Sequence, residues 1–300
     1  MTDPPRPDLL ALLSSWVLHL RAERKSAQTV AAYSAAVRIF VAWCEAEGHP
    51  ARLERSLVQA FTAAQIESGA EAATARLRLV SLRRFSGWAF EEDEIASDEL
   101  AGLKTPKLDA KTVQPFSEAE LKALLKACVG KDFRDRRDEA CLRFMLETGA
   151  RAGEVVAMTT TDVDLNQGVV LIRRGKGGKG RVVPIGAKAV AALDRYIRIR
   201  QAHPLAGTPT LWLGHGGRAW SYSALYKALG DRARQAGVEG FHPHRLRHTA
   251  ADRWLAAGGS EGGLMSVAGW SQHAQLQRYS RARASQRAVE EARNLDLGDL

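Results

Sequence analysis

The residues best suited to chemistry lie close together in one short stretch, FHPHRLRHT at positions 241–249. Pro243 suits the first turn of a helix, where its missing N–H donor is not needed, and the pattern predicts a helix over 244–257 that a glycine pair closes. Residues three or four apart share one face of such a helix. Three basic residues meet this spacing: His244, Arg247 and His248. A compact cationic cluster of this kind would bind an anion.

Two other interpretations of this cluster remain open. A basic helix face is often simply solvated. A zinc site at His244 and His248 is less favoured, because no Glu follows His244 in the metalloprotease pattern and no Cys pair lies nearby. We therefore predict no metal site.

Arg151 is a second candidate. It follows the predicted end of a helix over 135–147 and opens a further short helical turn, between Gly149 and Gly153. Arg151 could be simply a surface residue or form an ion pair with Glu154, and its position also allows the side chain to reach into a shared cleft.

A glycine-rich loop, RGKGGKG at 174–180, supplies further candidates between two predicted strands at 168–173 and 181–185. The loop does not match the G-x-x-x-x-G-K-[ST] phosphate loop, so nucleotide hydrolysis is not predicted. Lys176 and Lys179 would lie at the tip of the hairpin and face a phosphodiester, unless the loop is an ordinary solvated turn.

Tyr279 lies in a basic stretch of a helix predicted from Ala274 onward. Together with the arginines, the lysine and the histidine, its hydroxyl suits phosphodiester transfer without a metal. Guanidinium groups neutralise the non-bridging oxygens, a proton donor serves the leaving oxygen, and the hydroxyl attacks. A phosphotyrosine would conserve the bond energy, so strands would be rejoined without ATP. Spacing alone does not show that these groups converge.

The elements that must position these residues predict two domains. Residues 1–100 are expected to form a helical domain, 101–116 a linker, and 117–300 a catalytic domain with a C-terminal tail helix. Helices are predicted over these ranges: 9–23, 29–47, 72–90, 187–201, 221–235 and 260–267. Ser117 and Glu120 predict a capping box at the start of the second domain, and 210–213 is predicted as a strand. The fold class is therefore mainly α with a small antiparallel sheet (α+β).

Charge and composition agree with an anionic partner. The formal net charge is +9, and residues 1–110 carry 13 Lys and Arg against 15 Asp and Glu, whereas residues 111–300 carry 30 against 19. No apolar run is long enough to cross a membrane, and the N-terminus does not resemble a signal peptide. We expect a cytoplasmic protein whose three separate cysteines are buried thiols.

Six basic residues are predicted to contact DNA: Arg76, Arg83, Arg84, Lys179, Arg181 and Arg245. The first three lie on the outward face of the helix over 72–90, and the others accompany the hairpin and the cationic cluster. A solvated face is again the alternative for each of them.

Four strings in this order resemble the motifs of the tyrosine recombinase (phage integrase) family: TGARAGE at 148–154, GKGGKGR at 175–181, HRLRH at 244–248, and AGW at 268–270 followed nine residues later by Tyr279. The resemblance covers about 117–279, and the preceding helices are similar to the core-binding domain of that family. Four motifs in the right order are specific, although each alone is not.

The resemblance implies a role for each matching residue. Arg151 and Arg247 would bind the scissile phosphate, Lys176 would be the general acid for the 5′ oxygen, and His244 would assist proton transfer. Tyr279 would form the 3′-phosphotyrosyl link. Trp270 stands where most members have His, and its indole N–H still donates to a phosphate oxygen. The segment 261–263 departs from the family pattern, because it is unusually rich in glycine for the helix expected there.

The resemblance also implies the partners: double-stranded DNA recombination sites, two protomers on each site and a homotetramer on two sites, with no membrane and no cofactor. The activity would be integration, excision or resolution of DNA by a simple, Xer-like or phage- or plasmid-borne recombinase. Two alternatives stay open. One is a type IB topoisomerase-like nicking and closing enzyme, and the other is a DNA-binding protein that has lost catalysis.

Overall fold

A computed structural model of the protein describes residues 8–108, 113–173, 180–270 and 276. The chain forms two compact units, Met1–Lys111 and Thr112–Leu300. The division falls within the segment 101–116, at whose two ends Leu103 and Phe116 pack into separate cores. Within the described ranges, no helix has both the length and the apolar character needed to cross a membrane.

The first unit contains four α-helices in its described part: α1 Leu13–Ala22, α2 Ala27–Ala46, α3 Arg55–Glu67 and α4 Ala72–Glu91. The core of this unit is mostly aliphatic and includes five aromatic side chains that contact one another in tilted, edge-to-face or stacked pairs: Trp16, Phe40, Phe61, Phe85 and Trp88. The helices predicted from periodicity are confirmed, although the first starts at Leu13 because turns precede it. Helix α3 was not predicted.

Helix α4 shows the predicted two faces. Leu79, Leu82 and Phe85 are buried. The two arginines Arg76 and Arg84 are exposed, whereas Arg83 is half-buried. This helix therefore presents basic groups outward, as the 3.6-residue period requires.

The second unit contains seven α-helices in its described part: α5 Glu118–Lys126, α6 Phe133–Thr148, α7 Ala152–Val156, α8 Ala187–Arg200, α9 Tyr222–Gln235, α10 Pro243–Ala256 and α11 Glu261–Ala268. The predicted capping box opens α5, because the Glu120 N–H donates to Ser117 Oγ and the Ser117 N–H donates to the Glu120 carboxylate. Helix α6 packs against α8 and α10 at the centre of the unit.

A small antiparallel sheet lies beside these helices, with strands β1 Val163–Asp164, β2 Val169–Ile172 and β3 Arg181–Pro184 in the order β1-β2-β3. The two longer strands pair as predicted, with Ile172 opposite Arg181 at the end next to residues 174–179. Strand β1 was not predicted, since two residues carry no readable alternation.

The strand predicted over 210–213 is wrong. Leu211, Trp212 and Leu213 are fully buried, which is why the run looked like a strand. However, Thr210 and Leu213 form only isolated bridges, to Thr159 and Ala219. Two carbonyls of this segment, those of Thr210 and Leu211, accept instead from the Arg200 guanidinium, which also donates to the carbonyl of Thr208.

The glycine-rich segment 261–263 does form a helix, α11, which the Ser260 side chain caps. The space around each glycine explains the composition. A Cβ on Gly263 would lie 3.0 Å from the Trp254 ring and 2.9 Å from Ser260 Oγ, whereas a Cβ on Gly262 would meet nothing within 4 Å. Only Gly263 is therefore required by packing.

We predict that Gly262→Ala raises the stability of the second unit by about 0.5–1 kcal/mol, because Ala loses less backbone entropy in a helix than Gly. Gly263→Ala is the matched control, and it should lower stability because Trp254 must shift. Urea denaturation followed by circular dichroism measures both changes. Equal effects of the two substitutions would contradict the packing of Trp254 on Gly263.

The start of α10 depends on an unusual cap. The Arg245 N–H donates to His242 Nδ1 at 3.0 Å, and Pro243 occupies the first turn as predicted. Nδ1 accepts only when the imidazole is neutral. Burial, together with the positive charge of Arg245, lowers the pKa of His242 below its ordinary value of 6.5. The cap is therefore lost on protonation.

Since the pKa of His242 is lower in the folded chain than in the unfolded chain, its stabilising effect is present above the unfolded pKa and is lost as the pH falls through the folded pKa. We predict that His242→Asn, which keeps a cap acceptor, reduces the loss of stability as the pH falls from about 7.5 to about 5.5. The same substitution at exposed His215 is the control. Unchanged pH dependence in His242→Asn would show that another group is responsible.

Candidate active site

Helix α10 directs its residues to two different surroundings. Leu246 and Arg247 are buried, at 0% and 3% exposure, whereas His244 is exposed. The rings of His244 and His248 lie edge to face with their centroids 4.5 Å apart. The prediction that Leu246 turns away from the histidines is confirmed. The two histidines therefore form the outer edge of a site in which Arg247 lies deeper.

Arg247 is held by the end of helix α6. Its Nη1 donates to the carbonyl of Gly149 at 2.7 Å, and its Cζ lies 5.2 Å from the centroid of the Trp270 ring. Gly149 ends α6 in the left-handed conformation, with φ of 60°, so its carbonyl is one of the last helix acceptors without a partner within the helix. The guanidinium supplies that partner.

Arg151 precedes helix α7 and reaches the same neighbourhood. Its Nη1 and its backbone N–H both donate to Glu154, each at 2.9 Å, and its Nη2 lies 3.4 Å from the carbonyl of Gly269. The ion pair with Glu154 that the sequence left open is thus present. Since Trp270 follows Gly269 directly, the structure brings Arg151, Arg247 and Trp270 together, although they are far apart in the sequence.

Glu154 connects Arg151 to Arg181, which the sequence analysis predicted as a DNA contact. Arg181 donates through Nη2 and Nη1 to the two carboxylate oxygens of Glu154, at 2.8 and 3.1 Å, and through Nε to the carbonyl of Val267 at 2.8 Å. Burial alone would raise the pKa of Glu154. The hydrogen bonds and charges of Arg181 and Arg151 outweigh burial and hold that pKa below its ordinary value. The carboxylate is therefore ionised and binds both arginines.

Sequence reasoning missed this shared role of Glu154. The available signal was its position three residues after Arg151, where an acidic side chain reaches back to the start of a short helix. The spacing did not reveal Arg181 as a second partner, because it lies on a strand 27 residues later in the chain.

The other predicted residues fall into three groups. Lys176, Lys179 and Tyr279 lie outside the described residues. Arg76, Arg83 and Arg84 belong to the first unit, where Arg84 lies 3.6 Å from Glu23. Arg245 donates to the carbonyls of Gln114 and Glu239 and to Glu120, and it stacks on Phe116 with its Cζ 3.8 Å from the ring centroid. Its contact with DNA stays a prediction.

This arrangement of side chains can bind an anion through two of its oxygen atoms. Arg151 and Arg181 share the carboxylate of Glu154. With Arg247, which donates to the carbonyl of Gly149, these four side chains carry a net positive charge. Planar guanidinium groups suit the paired oxygens of a phosphodiester. In the described ranges, no group of three or more His, Cys, Asp or Glu side chains is arranged to hold a metal ion.

Comparison with known proteins identifies the same two regions. The profile of the phage integrase family matches residues 114–286, and the profile of the phage integrase N-terminal SAM-like domain matches residues 13–93. Tyrosine recombinase XerC of Xanthomonas campestris pv. campestris (strain B100) is 30% identical over 287 residues, covering 93% of this chain and 86% of the relative. Tyrosine recombinase XerC of Azotobacter vinelandii is 32% identical over 281 residues, covering 89% of this chain and 90% of the relative.

Solved structures agree on the fold. A lambda integrase(75-356) dimer bound to a COC′ core site superposes with a TM-score of 0.70 at 16% identity, covering 90% of this chain and 94% of that one. The Tn1549 transposon integrase in complex with circular intermediate DNA gives 0.71 at 18% identity, covering 93% and 98%. The helical first unit and the helical second unit with its small sheet are therefore the fold of these enzymes. Motifs, family profiles and fold agree, and the chain belongs to the phage integrase family of tyrosine recombinases.

Proposed function

We propose that this chain is a site-specific DNA recombinase that cleaves and rejoins DNA strands through a 3′-phosphotyrosine intermediate, in DNA integration, excision or resolution. The observation that carries the proposal is the meeting of Arg151 and Arg247 beside Trp270. Arg247 donates to the carbonyl at the end of α6, Arg151 approaches the carbonyl of Gly269, and a pair of guanidinium groups suits the non-bridging oxygens of a scissile phosphate. Family membership supports this function over a topoisomerase-like enzyme or a silent DNA-binding protein.

Each residue has a defined role in the proposed reaction. Arg151 and Arg247 bind the non-bridging oxygens, where charge grows in the transition state, and Trp270 donates its indole N–H to one of them. The Tyr279 oxygen attacks phosphorus and gives up its proton while the bond to the 5′ oxygen breaks. Lys176 protonates that 5′ oxygen, and His244 assists proton transfer. Rejoining is the reverse reaction with a new 5′ hydroxyl.

The covalent intermediate explains why no external energy source is proposed. One phosphodiester bond is exchanged for a phosphotyrosyl bond, so rejoining needs no ATP. The guanidinium groups take the part that a metal ion plays in other phosphoryl transfers, so we also propose a metal-independent reaction.

The proposed partners follow from charge and from the solved relatives. The basic second unit would bind duplex DNA, and the exposed arginines of α4 would add contacts from the first unit. Lambda integrase is known as a dimer on a core site and as a tetramer on a Holliday junction. We propose the same assembly here, two protomers on each site and a homotetramer on two sites, in a cytoplasmic protein.

The first experiment identifies the covalent intermediate. The purified protein is incubated in EDTA without ATP with a library of nicked duplexes of randomised sequence, denatured, and analysed for DNA linked to protein. We predict that wild type forms an adduct at Tyr279 and that Tyr279→Phe forms none while binding the same DNA. An adduct that persists in Tyr279→Phe would refute the assignment. Relaxation of supercoiled DNA by a monomer, without recombination of paired sites, would favour a topoisomerase.

The second experiment tests Arg247 on the duplex recovered from that library. Arg247→Lys keeps the charge but loses the planar pair of donors, and we predict a fall in the cleavage rate of about 10²–10³-fold. Arg253→Lys is the control on the same helix, since Arg253 is exposed and pairs with Glu118 at 3.5 Å. Thermal melting of both variants separates loss of chemistry from loss of fold. Equal cleavage rates in the two variants would remove Arg247 from the phosphate site.

A further inference from the structure

We propose that Arg181 is a positioning residue for strand cleavage: it holds Arg151 through Glu154 and fixes the end of helix α11, from which Trp270 and Tyr279 follow in the sequence. The proposal rests on the proposed function. It replaces the expectation that Arg181 binds DNA directly.

The contacts of Arg181 leave little of it for a ligand. Its side chain is 10% exposed, compared with 29% for Arg151. Nη1 and Nη2 both donate to Glu154, and Nε donates to Val267. Fewer side-chain N–H groups of Arg151 donate to protein acceptors, and its side chain is more exposed to solvent. Of the two arginines that share Glu154, Arg151 is thus the one placed to meet a phosphate.

The guanidinium group of Arg181 also contacts the end of helix α11. The last carbonyls of a helix have no partner within the helix, and the carbonyl of Val267 is satisfied by Arg181 Nε. Gly269 ends this helix in the left-handed conformation with φ of 64°. A Cβ there would lie 2.8 Å from Arg181 Nη1 and 2.9 Å from Cζ. Glycine at 269 therefore serves the guanidinium as well as the turn.

The backbone of Arg181 lies in strand β3, next to the segment that contains Lys176. Arg181 is the first residue of strand β3 and pairs with Ile172 of β2, at the end of the strand pair next to residues 174–179, which include Lys176. Arg181 thus joins three segments: the β2–β3 strand pair, which flanks Lys176 in the sequence, the short helix that follows Arg151, and the end of α11. Small displacements of reacting groups cost large factors in rate, so loss of this connection should impair cleavage.

DNA binding distinguishes a positioning role from a phosphate contact. Each phosphate that a protein neutralises contributes about −0.9 to the slope of log K against log[salt] on duplex DNA. If Arg181 only positions other groups, its removal leaves this slope and the affinity unchanged and lowers the single-turnover cleavage rate. If it contacts phosphate, the slope becomes less steep by about 0.9 and affinity falls.

The experiment uses Arg181→Gln and Arg181→Lys in the full chain, with the labelled duplex recovered from the adduct library. We expect the cleavage rate of Arg181→Gln to fall by about 10²-fold, with the affinity for DNA within twofold of wild type and the salt slope unchanged. Arg181→Lys should recover only part of the rate, because one ammonium cannot reach both Glu154 and Val267. Arg195→Gln is the control, since Arg195 also donates to both oxygens of a glutamate, Glu139, but belongs to helix α8. It should cleave like wild type.

A second pair of variants tests the same proposal if the Arg181 variants fail to fold. Gly269→Ala and Gly258→Ala both place alanine at a positive φ, 64° and 79°, but a Cβ on Gly258 meets nothing within 4 Å. Both should lose similar stability from backbone strain. Only Gly269→Ala should lose cleavage as Arg181→Gln does, because only there is the guanidinium displaced.

Amide hydrogen exchange gives a measurement that does not depend on the reaction. The N–H groups of Gly269 and Trp270 donate to the carbonyls of Ser266 and Met265, and they should exchange faster in Arg181→Gln than in wild type or Arg195→Gln. Wild type without an adduct would refute the proposed function, while faster exchange would still support the connection made by Arg181. Unchanged exchange, or a cleavage loss explained by weaker binding with a reduced salt slope, would overturn the positioning role.

Discussion

The candidate site depends on a buried carboxylate shared by two arginines. Glu154 is 7% exposed, and a carboxylate at that depth is costly unless it is paired and hydrogen-bonded. Arg181 and Arg151 together supply three side-chain donors, and the backbone N–H of Arg151 supplies a fourth. Removing either arginine would leave Glu154 incompletely paired. The positions of the two guanidinium groups are therefore coupled to each other, although the residues belong to a helix start and a strand.

Helix ends supply the other partners of these arginines. Arg247 donates to the carbonyl of Gly149 at the end of α6, Arg181 to that of Val267 at the end of α11, and Arg151 approaches Gly269. The C-terminus of a helix has unsatisfied carbonyls and a negative partial charge, which favours cations there. The site thus collects guanidinium groups by using acceptors that the helices leave over. The proposed phosphate would be bound by the guanidinium groups that are brought together in this way.

Much of this fold is predictable from the sequence where one local rule dominates. The 3.6-residue period located α2 and α4, the proline before His244 located the start of α10, and the Ser117–Glu120 pair identified a capping box. The segment 210–213 shows the limit of such rules, because burial produced a strand-like pattern while the Arg200 side chain took the carbonyls. Whether an apolar run forms a strand depends on partners that are distant in the sequence.

The same limit applies to charged residues. Composition located the positive charge in the second unit, and motif resemblance selected Arg151 and Arg247, but neither distinguishes an arginine that meets a ligand from one that meets the protein. Arg245 and Arg181 both looked like DNA contacts, yet the structure gives them acceptors at Glu120 and at Glu154. Their partners come from other elements, so only the folded chain shows them.

Glu154 reduces the net positive charge of the site and therefore weakens its attraction for DNA. The presence of this carboxylate indicates that the orientation of the guanidinium groups matters more than their total charge. A cluster of arginines without a carboxylate would attract DNA more strongly, but their mutual repulsion and their long flexible side chains would leave the guanidinium groups poorly placed. Catalysis benefits from groups that are already oriented toward the charge of the transition state, whereas uniform attraction only strengthens binding. A buried, ionised Glu154 therefore favours orientation over attraction. In a protein with a net charge of +9, attraction to DNA is already supplied by the rest of the surface.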